Sequence, residues 1–325
     1  MVDKTRFIIK RLLQIIPMLL IVTVFAFILS NLSSGDVAEI AIRKEGGIVT
    51  EQTVAAMREE LGLNKPIPMQ YLDWLGRAIR FDFGTSFISK KPVIEEVLSR
   101  FPNTLYLALI ATAMAMAIAI PIAMLSAKWK GSVLDHGLRV LTTGAATLPD
   151  FWMGLMLLYA FGVSMGIVPV IAGSSIGNIF LPAFTLSISY AAIYTRMLRS
   201  NLIEVMQSHY IKAARAKGLG QWGAMVKHGL KNAVLPCVTL VATNFGSMLS
   251  GAYAVEMIFS WNGIGKYAIE SVKAKDFPVI QCYLIAVALS YILVNLIVDV
   301  LYAYIDPKIK LEGGRTRRWL WPKRP

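Results

Sequence analysis

Six apolar stretches dominate this sequence, at about residues 12–32, 105–125, 138–163, 180–197, 237–257 and 279–304. Each is close to the ~20 helical residues that cross ~30 Å of hydrocarbon. Lipid gives a backbone no hydrogen-bond partner, so each stretch has to be a helix. Only 16% of the residues are charged, where a soluble domain carries about a quarter. A soluble globular enzyme, a disordered chain and a disulfide scaffold are thereby excluded. The expected fold is an all-α integral membrane protein with six transmembrane helices.

The net charge of +13 invites a nucleic-acid reading, but its distribution argues for topology instead. Residues 1–11, 126–139, 196–235 and 306–325 together carry +16, whereas 33–104, 163–179 and 256–278 carry −1. Basic loops stay on the cytoplasmic side, so both termini are expected there. Anionic lipid, not nucleic acid, is the polyanion this pattern suits. Lys4, Arg6, Lys10 and Arg11 precede the first apolar run in the manner of a secretion signal. The run is too long for one and no A-x-A site follows, so a retained first helix is expected. Cys237 and Cys282 open the fifth and sixth stretches at opposite faces. A disulfide needs Cα atoms within about 7 Å, so the two are expected to be unbonded.

These boundaries divide the chain into a first helix (1–32), an outer helical segment (33–104), a helical core (105–305) and a basic tail (306–325). In the outer segment, residues 51–61 read as a helix stopped by Gly62, and residues 70–80 as a second helix after Pro66 and Pro68. Pro92 suits the first turn of a third, with Val93, Ile94, Val97, Leu98 and Phe101 on one face. Such a segment either caps the membrane part or docks an external partner.

The long inner segment, residues 196–235, is the most specific part of the chain. It contains Tyr210-Ile211-Lys212-Ala213-Ala214-Arg215-Ala216-Lys217-Gly218-Leu219 and Lys227-His228-Gly229-Leu230-Lys231-Asn232-Ala233-Val234-Leu235-Pro236. This reads as a short basic helix with small residues, stopped by Gly218. Read from pattern alone, it is equally a solvated loop.

The segment resembles the EAA loop of ABC-importer permeases in its dipeptide/oligopeptide/nickel form, with Lys212 where the general pattern has Glu. Further resemblances follow in order along the chain: Leu61-Gly62-Leu63-Asn64-Lys65-Pro66, Asp82-Phe83-Gly84-Thr85-Ser86-Phe87, Leu181-Pro182-Ala183, Phe259-Ser260-Trp261-Asn262-Gly263-Ile264-Gly265 with Asn262 in place of Pro, Asp276-Phe277-Pro278-Val279-Ile280-Gln281 and Asp306-Pro307-Lys308. The resemblance implies the type I permease fold and makes 105–305 the permease core. Ala213, Ala214, Arg215, Lys217 and Gly218 would contact an ATPase subunit. Its implied partners are a second homologous permease in a heterodimer, two ATPase subunits and an extracytoplasmic substrate-binding protein.

The chain has no G-x-x-x-x-G-K-[ST] phosphate loop, since Gly265-Lys266-Tyr267 lacks both the Ser/Thr and the spacing. His136, His209 and His228 all fall in the basic loops. No catalytic residue, cofactor or metal site is therefore expected, and ATP chemistry is assigned to other subunits.

Within the apolar stretches, Asp150 stands in Leu148-Pro149-Asp150-Phe151-Trp152. A carboxyl at that depth costs a few kcal/mol, so it should face protein or water. It is either a weak cation contact on a translocation path or a structural hydrogen-bond acceptor. Asp299, near the end of the sixth stretch, reads as structural. Arg196 and Arg199 are expected to snorkel. In the fifth stretch, Asn244, Ser247, Met248 and Ser250, with Thr243, Gly246 and Gly251, either line the path or pack closely. Asp82–Phe87, Pro149–Trp152 and Cys282 after Gln281 resemble the nickel branch of the family. Nickel or a nickel chelate is therefore the expected cargo, and a dipeptide or oligopeptide the alternative. A secondary transporter or channel driven by an ion gradient is the rival class. It would show internal repeats and broken helices around midplane charges; no repeat is visible, and Asp150 alone lies near a midplane.

Overall fold

The computed structural model describes residues 2–32, 36–44, 46–171, 173 and 176–305, with side chains for those between 13–28 and 36–297. The tail with Asp306-Pro307-Lys308 and the side chain of Asp299 lie outside the described residues. Among the described residues the chain is helical, with no strand beyond one bridge between Thr85 and Pro92. The helices are α1 (Val2–Leu32), α2 (Val37–Lys44), α3 (Glu51–Glu60), α4 (Ile67–Ala78), α5 (Val93–Lys128), α6 (Val133–Thr147), α7 (Asp150–Leu157), α8 (Phe180–Val205), α9 (His209–Ala216), α10 (Gln221–Ala224), α11 (Leu230–Gly251), α12 (Tyr253–Ile258), α13 (Ile264–Ala274) and α14 (Phe277–Ile305).

Each of the six apolar stretches is mostly helical. By length and composition, α5, the continuous run Gln221–Gly251 and α14 can each cross a membrane, and α6 with α7 makes a fourth, bent candidate. Long helices also cover the first and fourth stretches, of 31 residues in α1 and 26 in α8. The expected α3 is present, and Gly62 closes it at φ +68°. Cys237 and Cys282 are free and buried.

Two expectations are corrected. The stretch 138–163 is not one straight helix, because α6 and the α7 limb meet at 102°. Leu148 adopts an extended conformation (φ −74°, ψ 132°). A proline ring disfavours the helical region for the residue before it, and Pro149 has no N–H to continue the ladder. The helix opened by Pro92 is also not a separate outer element. It runs on without interruption into the second apolar stretch as the 36-residue α5, so the division drawn at residue 104 falls inside one helix.

The packing centre is the α5–α8 contact. Along α5, Leu107, Ala111, Ala115, Ala119 and Ala123 recur every four residues, and each is fully buried. Residues four apart share a helix face, and methyl side chains let a second helix approach closely. Ala183, Leu186, Ala191, Tyr194, Leu198 and Leu202 are buried residues of α8 that cluster with this stripe.

At the end of the bundle that carries α9, Arg199 does not snorkel. Its guanidinium donates to both oxygens of Asp135 at the start of α6, at 2.9 and 2.7 Å. The same carboxylate accepts from the Ser126 hydroxyl and from the Gly131 N–H (2.9 Å). Three helices and a turn are thereby joined through one buried carboxylate.

The opposite end is closed by a second set of acids. Glu256, with no exposed surface, accepts from Thr104 Oγ1 at 2.6 Å and from the Lys266 N–H at 2.8 Å. The Thr104 oxygen in turn accepts from the Ile264 N–H at 2.9 Å. Glu256 thus satisfies the free amides at the start of α13, which a helix cannot satisfy for itself. Gly263 and Gly265 leave room for the carboxylate: a Cβ on Gly263 would lie 2.1 Å from Glu256 Oε1. Nearby, Ser86 donates to Asp276 at 2.6 Å across 190 residues of sequence. The Tyr267 hydroxyl donates to Glu96, which pairs with Arg100 at 3.6 Å. Burial and the Glu96 carboxylate push the Tyr267 hydroxyl well above its ordinary range, so it remains a donor.

Gly263→Ala must expel this carboxylate from its donors. Leaving a buried charged acceptor unpaired costs about 3–5 kcal/mol. The variant should lose most of its monodisperse folded fraction after mild heating, read by size-exclusion chromatography, whereas Gly251→Ala, whose Cβ meets nothing within 4 Å, should not.

Candidate functional site

The inner segment folds into a small unit standing on the base of the bundle. α8 continues to Val205, past the expected end of the fourth stretch, and the chain turns at Ser208 into α9. Ser208 is extended (φ −66°, ψ 154°), and its carbonyl accepts the first helical bond, from the Lys212 N–H at 3.2 Å. The other end closes with a Schellman pattern. The Gly218 N–H donates to Arg215 O at 3.0 Å and the Leu219 N–H to Ala214 O at 3.3 Å. Gly218 sits at φ +94°, with open space where a Cβ would be. Conformation, not crowding, requires glycine there.

Ile211 is the one fully buried side chain of α9. Ala213, Arg215, Lys217 and Gly218 are exposed, and Ala214 is half-buried. The sequence-level alternatives of helix and solvated loop resolve into a formed, closed helix with a small, basic outer surface. Two anchors hold it. Asn232 on α11 donates to the Tyr210 hydroxyl at 2.7 Å. Beyond α10, Met225 inserts among Leu198, Leu202, Ala123, Ala233 and Cys237. Lys128, at the end of α5, stacks its ammonium over Trp129 at 4.5 Å and over Trp222 of α10 at 5.0 Å. The feet of α5, α8 and α11 therefore all bear on this unit. Tyr210 and Asn232 were within the sequence motifs, but their pairing spans 22 residues and no local pattern announces it.

On α11 the small and polar residues separate by face. Thr243, Ser247 and Ser250 are exposed, and Asn244 is half-buried. The hydroxyls return bonds to their own helix: Thr243 to Thr239 O at 3.0 Å and Ser250 to Gly246 O at 3.2 Å. Met248 is a correction, because it is fully buried and its sulfur accepts from Thr112 of α5 at 3.2 Å. It faces α5, about 100° around the helix from Ser247. Gly246 serves packing, since a Cβ there would lie 2.2 Å from the Tyr291 ring on α14.

Asp150 is placed by the bend. It is the first residue of α7, just past Pro149, half-buried, and its Oδ1 accepts from Ser189 on α8 at 2.6 Å. It is held as a hydrogen-bonded carboxyl at a helix start and not at the middle of a straight span.

Geometry and comparison agree on what class of protein carries such an arrangement. Residues 119–311 match the family described as binding-protein-dependent transport system inner membrane component, and residues 4–108 match its N-terminal companion. The chain belongs to this family: it is an inner-membrane, multi-pass permease subunit of an ABC importer, a transport subunit and not an enzyme. It is 37% identical over 307 residues to the glutathione transport system permease protein GsiC of Salmonella typhimurium strain LT2, across 94% of this chain and 99% of the relative. The Escherichia coli K12 protein of the same name is 35% identical over 306 residues, with 94% and 99% coverage. The fold is shared with a chain of the MetNI methionine ABC transporter in inward-facing conformations, at a TM-score of 0.55 and 15% identity, covering 65% of this chain and 96% of that one. This membership sets aside the ion-gradient-driven transporter or channel. ATPase and substrate-binding protein partners follow from it in general terms.

Gly218→Val places a β-branched residue in the left-handed region, at a cost of about 1–2 kcal/mol. Hydrogen exchange at the Gly218 and Leu219 amides should accelerate in that variant. Gly218→Asn, which tolerates this conformation, should stay close to the parent; equal rates in all three would show that the positive φ does not close α9.

Proposed function

We propose that this chain forms one half of a heterodimeric permease with both termini cytoplasmic, and that the cargo is a short peptide or peptide-like solute. The observation that carries the coupling role is the exposed, glycine-closed α9 fastened to the feet of three long helices. Ala213, Ala214, Arg215, Lys217 and Gly218 form its outer surface, which meets the ATPase. A movement of the ATPase then reaches α8 and α11 through Ile211, Tyr210–Asn232 and Met225, without passing through the cargo.

The path runs along the exposed polar side of α11, at Ser247 and Ser250 with Asn244 beside them, where it faces the second permease. Thr243, Ser247 and Ser250 share one exposed side of α11 with the half-buried Asn244 next to it, and this small, polar side suits a helix facing a second subunit and a path between the two. Asp150, near the bend, lies at the border of that path and is already engaged by Ser189. For the cargo, the relatives at 35–37% identity are named for glutathione. That supports the peptide alternative over nickel, the cargo expected from the motifs.

Reconstitution tests both parts. Proteoliposomes with the second permease, the ATPases and the cognate binding protein should accumulate labelled glutathione or dipeptide and not nickel. Ala214→Trp, an overpacking of about 1–3 kcal/mol at a close surface, should abolish uptake while cargo binding to the external protein is unchanged. Nickel uptake without peptide uptake would reverse the cargo, and full transport by Ala214→Trp would remove α9 from coupling.

A further inference from the structure

Helices α5, α6, α7 and α8 enclose an apolar groove of about 540 Å³. Ile122, Leu141, Leu148, Met153, Phe184 and Ile188 are among its lining residues. The two hydroxyls in the lining are already engaged: Thr142 donates to Leu138 O at 2.9 Å and Thr195 to Ala191 O at 2.7 Å. A peptide backbone would lose its hydrogen bonds here, so the groove is unsuited to the proposed cargo. A hydrocarbon chain loses nothing.

The chemistry changes just beyond the lining. Val140 on α6 and Thr195 on α8 line the groove, and the adjacent residues toward the α9 end are Arg139 and Arg196. Both are exposed, and among the described residues neither has an acidic partner. Arg139 lies one turn from Asp135 and Arg196 one turn from Arg199, so both follow the line of that ion pair. The Asp135 carboxylate has no capacity left for them, because Arg199, Ser126 and Gly131 already occupy its two oxygens. Two guanidinium groups without an acidic partner among the described residues therefore follow directly on the groove lining, one on α6 and one on α8.

We propose that the groove binds an anionic phospholipid, with an acyl chain between α5, α6 and α8 and the phosphate held by Arg139 and Arg196. Guanidinium groups match phosphate oxygens in paired, charge-assisted hydrogen bonds. Basic pockets between transmembrane helices are recurrent sites for such headgroups. A helix of the second permease is the other conceivable occupant; it would cover the apolar lining but give the two arginines no counter-charge, which a phosphate does. The site is independent of the coupling loop and of the cargo; it requires only that these helices lie in a bilayer.

The test uses the assembled transporter in nanodiscs of phosphatidylcholine and phosphatidylglycerol in equal parts. Lipid retained after release is read by native mass spectrometry, and ATPase co-purification reports an intact complex. The parent should retain phosphatidylglycerol selectively. The double variant Arg139→Gln, Arg196→Gln should lower that retention about thirtyfold. Ile188→Trp, which fills the groove without altering charge, should lower it as well. Equal retention in parent and double variant, no preference for phosphatidylglycerol, or disulfide capture of the second permease by Leu141→Cys would each overturn the proposal. If the double variant does not assemble, the parent decides alone: raised salt must strip phosphatidylglycerol selectively, and indifference to salt overturns the site.

Discussion

A polar group inside a bundle that faces hydrocarbon can bond only to the protein itself, and this constraint shapes the junctions at both ends of the structure. Asp135 shows it at one end: a carboxylate with almost no exposed surface collects Arg199, Ser126 and Gly131, so α5, α6 and α8 are tied through a single group. Glu256 does the same at the other end, joining Thr104 of α5 to the start of α13. Between them the α5 side of the seam is made mainly of alanine methyls, which have nothing to satisfy. The bundle is thus apolar and close-packed along its length and hydrogen-bonded at its ends.

That arrangement bears on function. Rigid ends transmit displacement, and the proposed coupling unit stands on one of them. α9 contributes little to the core, with Ile211 as its one fully buried residue, yet Tyr210–Asn232 and the Met225 insertion bind it to α8 and α11. The polar face of α11 rises from the same foot. In the proposed coupling, a push on α9 would arrive at the helix whose exposed hydroxyls face the proposed path.

Much of this was legible in the sequence, for physical reasons. Helix periodicity, chain-stopping glycines and the six apolar stretches are local properties, so α3 with Gly62, α9 with Gly218 and the long helices could be read directly. The bend at Leu148–Pro149 was also written locally, but a proline inside an apolar run permits either a kinked span or a break. The continuity of α5 was masked because the turns opened by Pro92 are polar and lie ahead of the apolar stretch that begins at residue 105. Long-range partners were not legible at all. Glu256 and Thr104 are 152 residues apart, and Ser86 and Asp276 are 190 apart. The motifs containing Ser86, Gly263 and Asp276 were visible as motifs, and the structure supplies their reason: they meet at one end of the bundle. Met248 went astray because polar and small neighbours on α11 do not reveal which side of the helix faces α5.

The central claim is that α9 is the surface through which the ATPase drives the bundle. Site-directed disulfide trapping in the assembled transporter tests it most directly, with a cysteine replacing Ala214 and a cysteine scan of the ATPase surface. Val133, 90% exposed at the start of α6, provides the control position. Efficient, nucleotide-sensitive trapping from position 214 and none from position 133 is the expected result. Equal trapping from both positions, or none from position 214 in an intact complex, would contradict it.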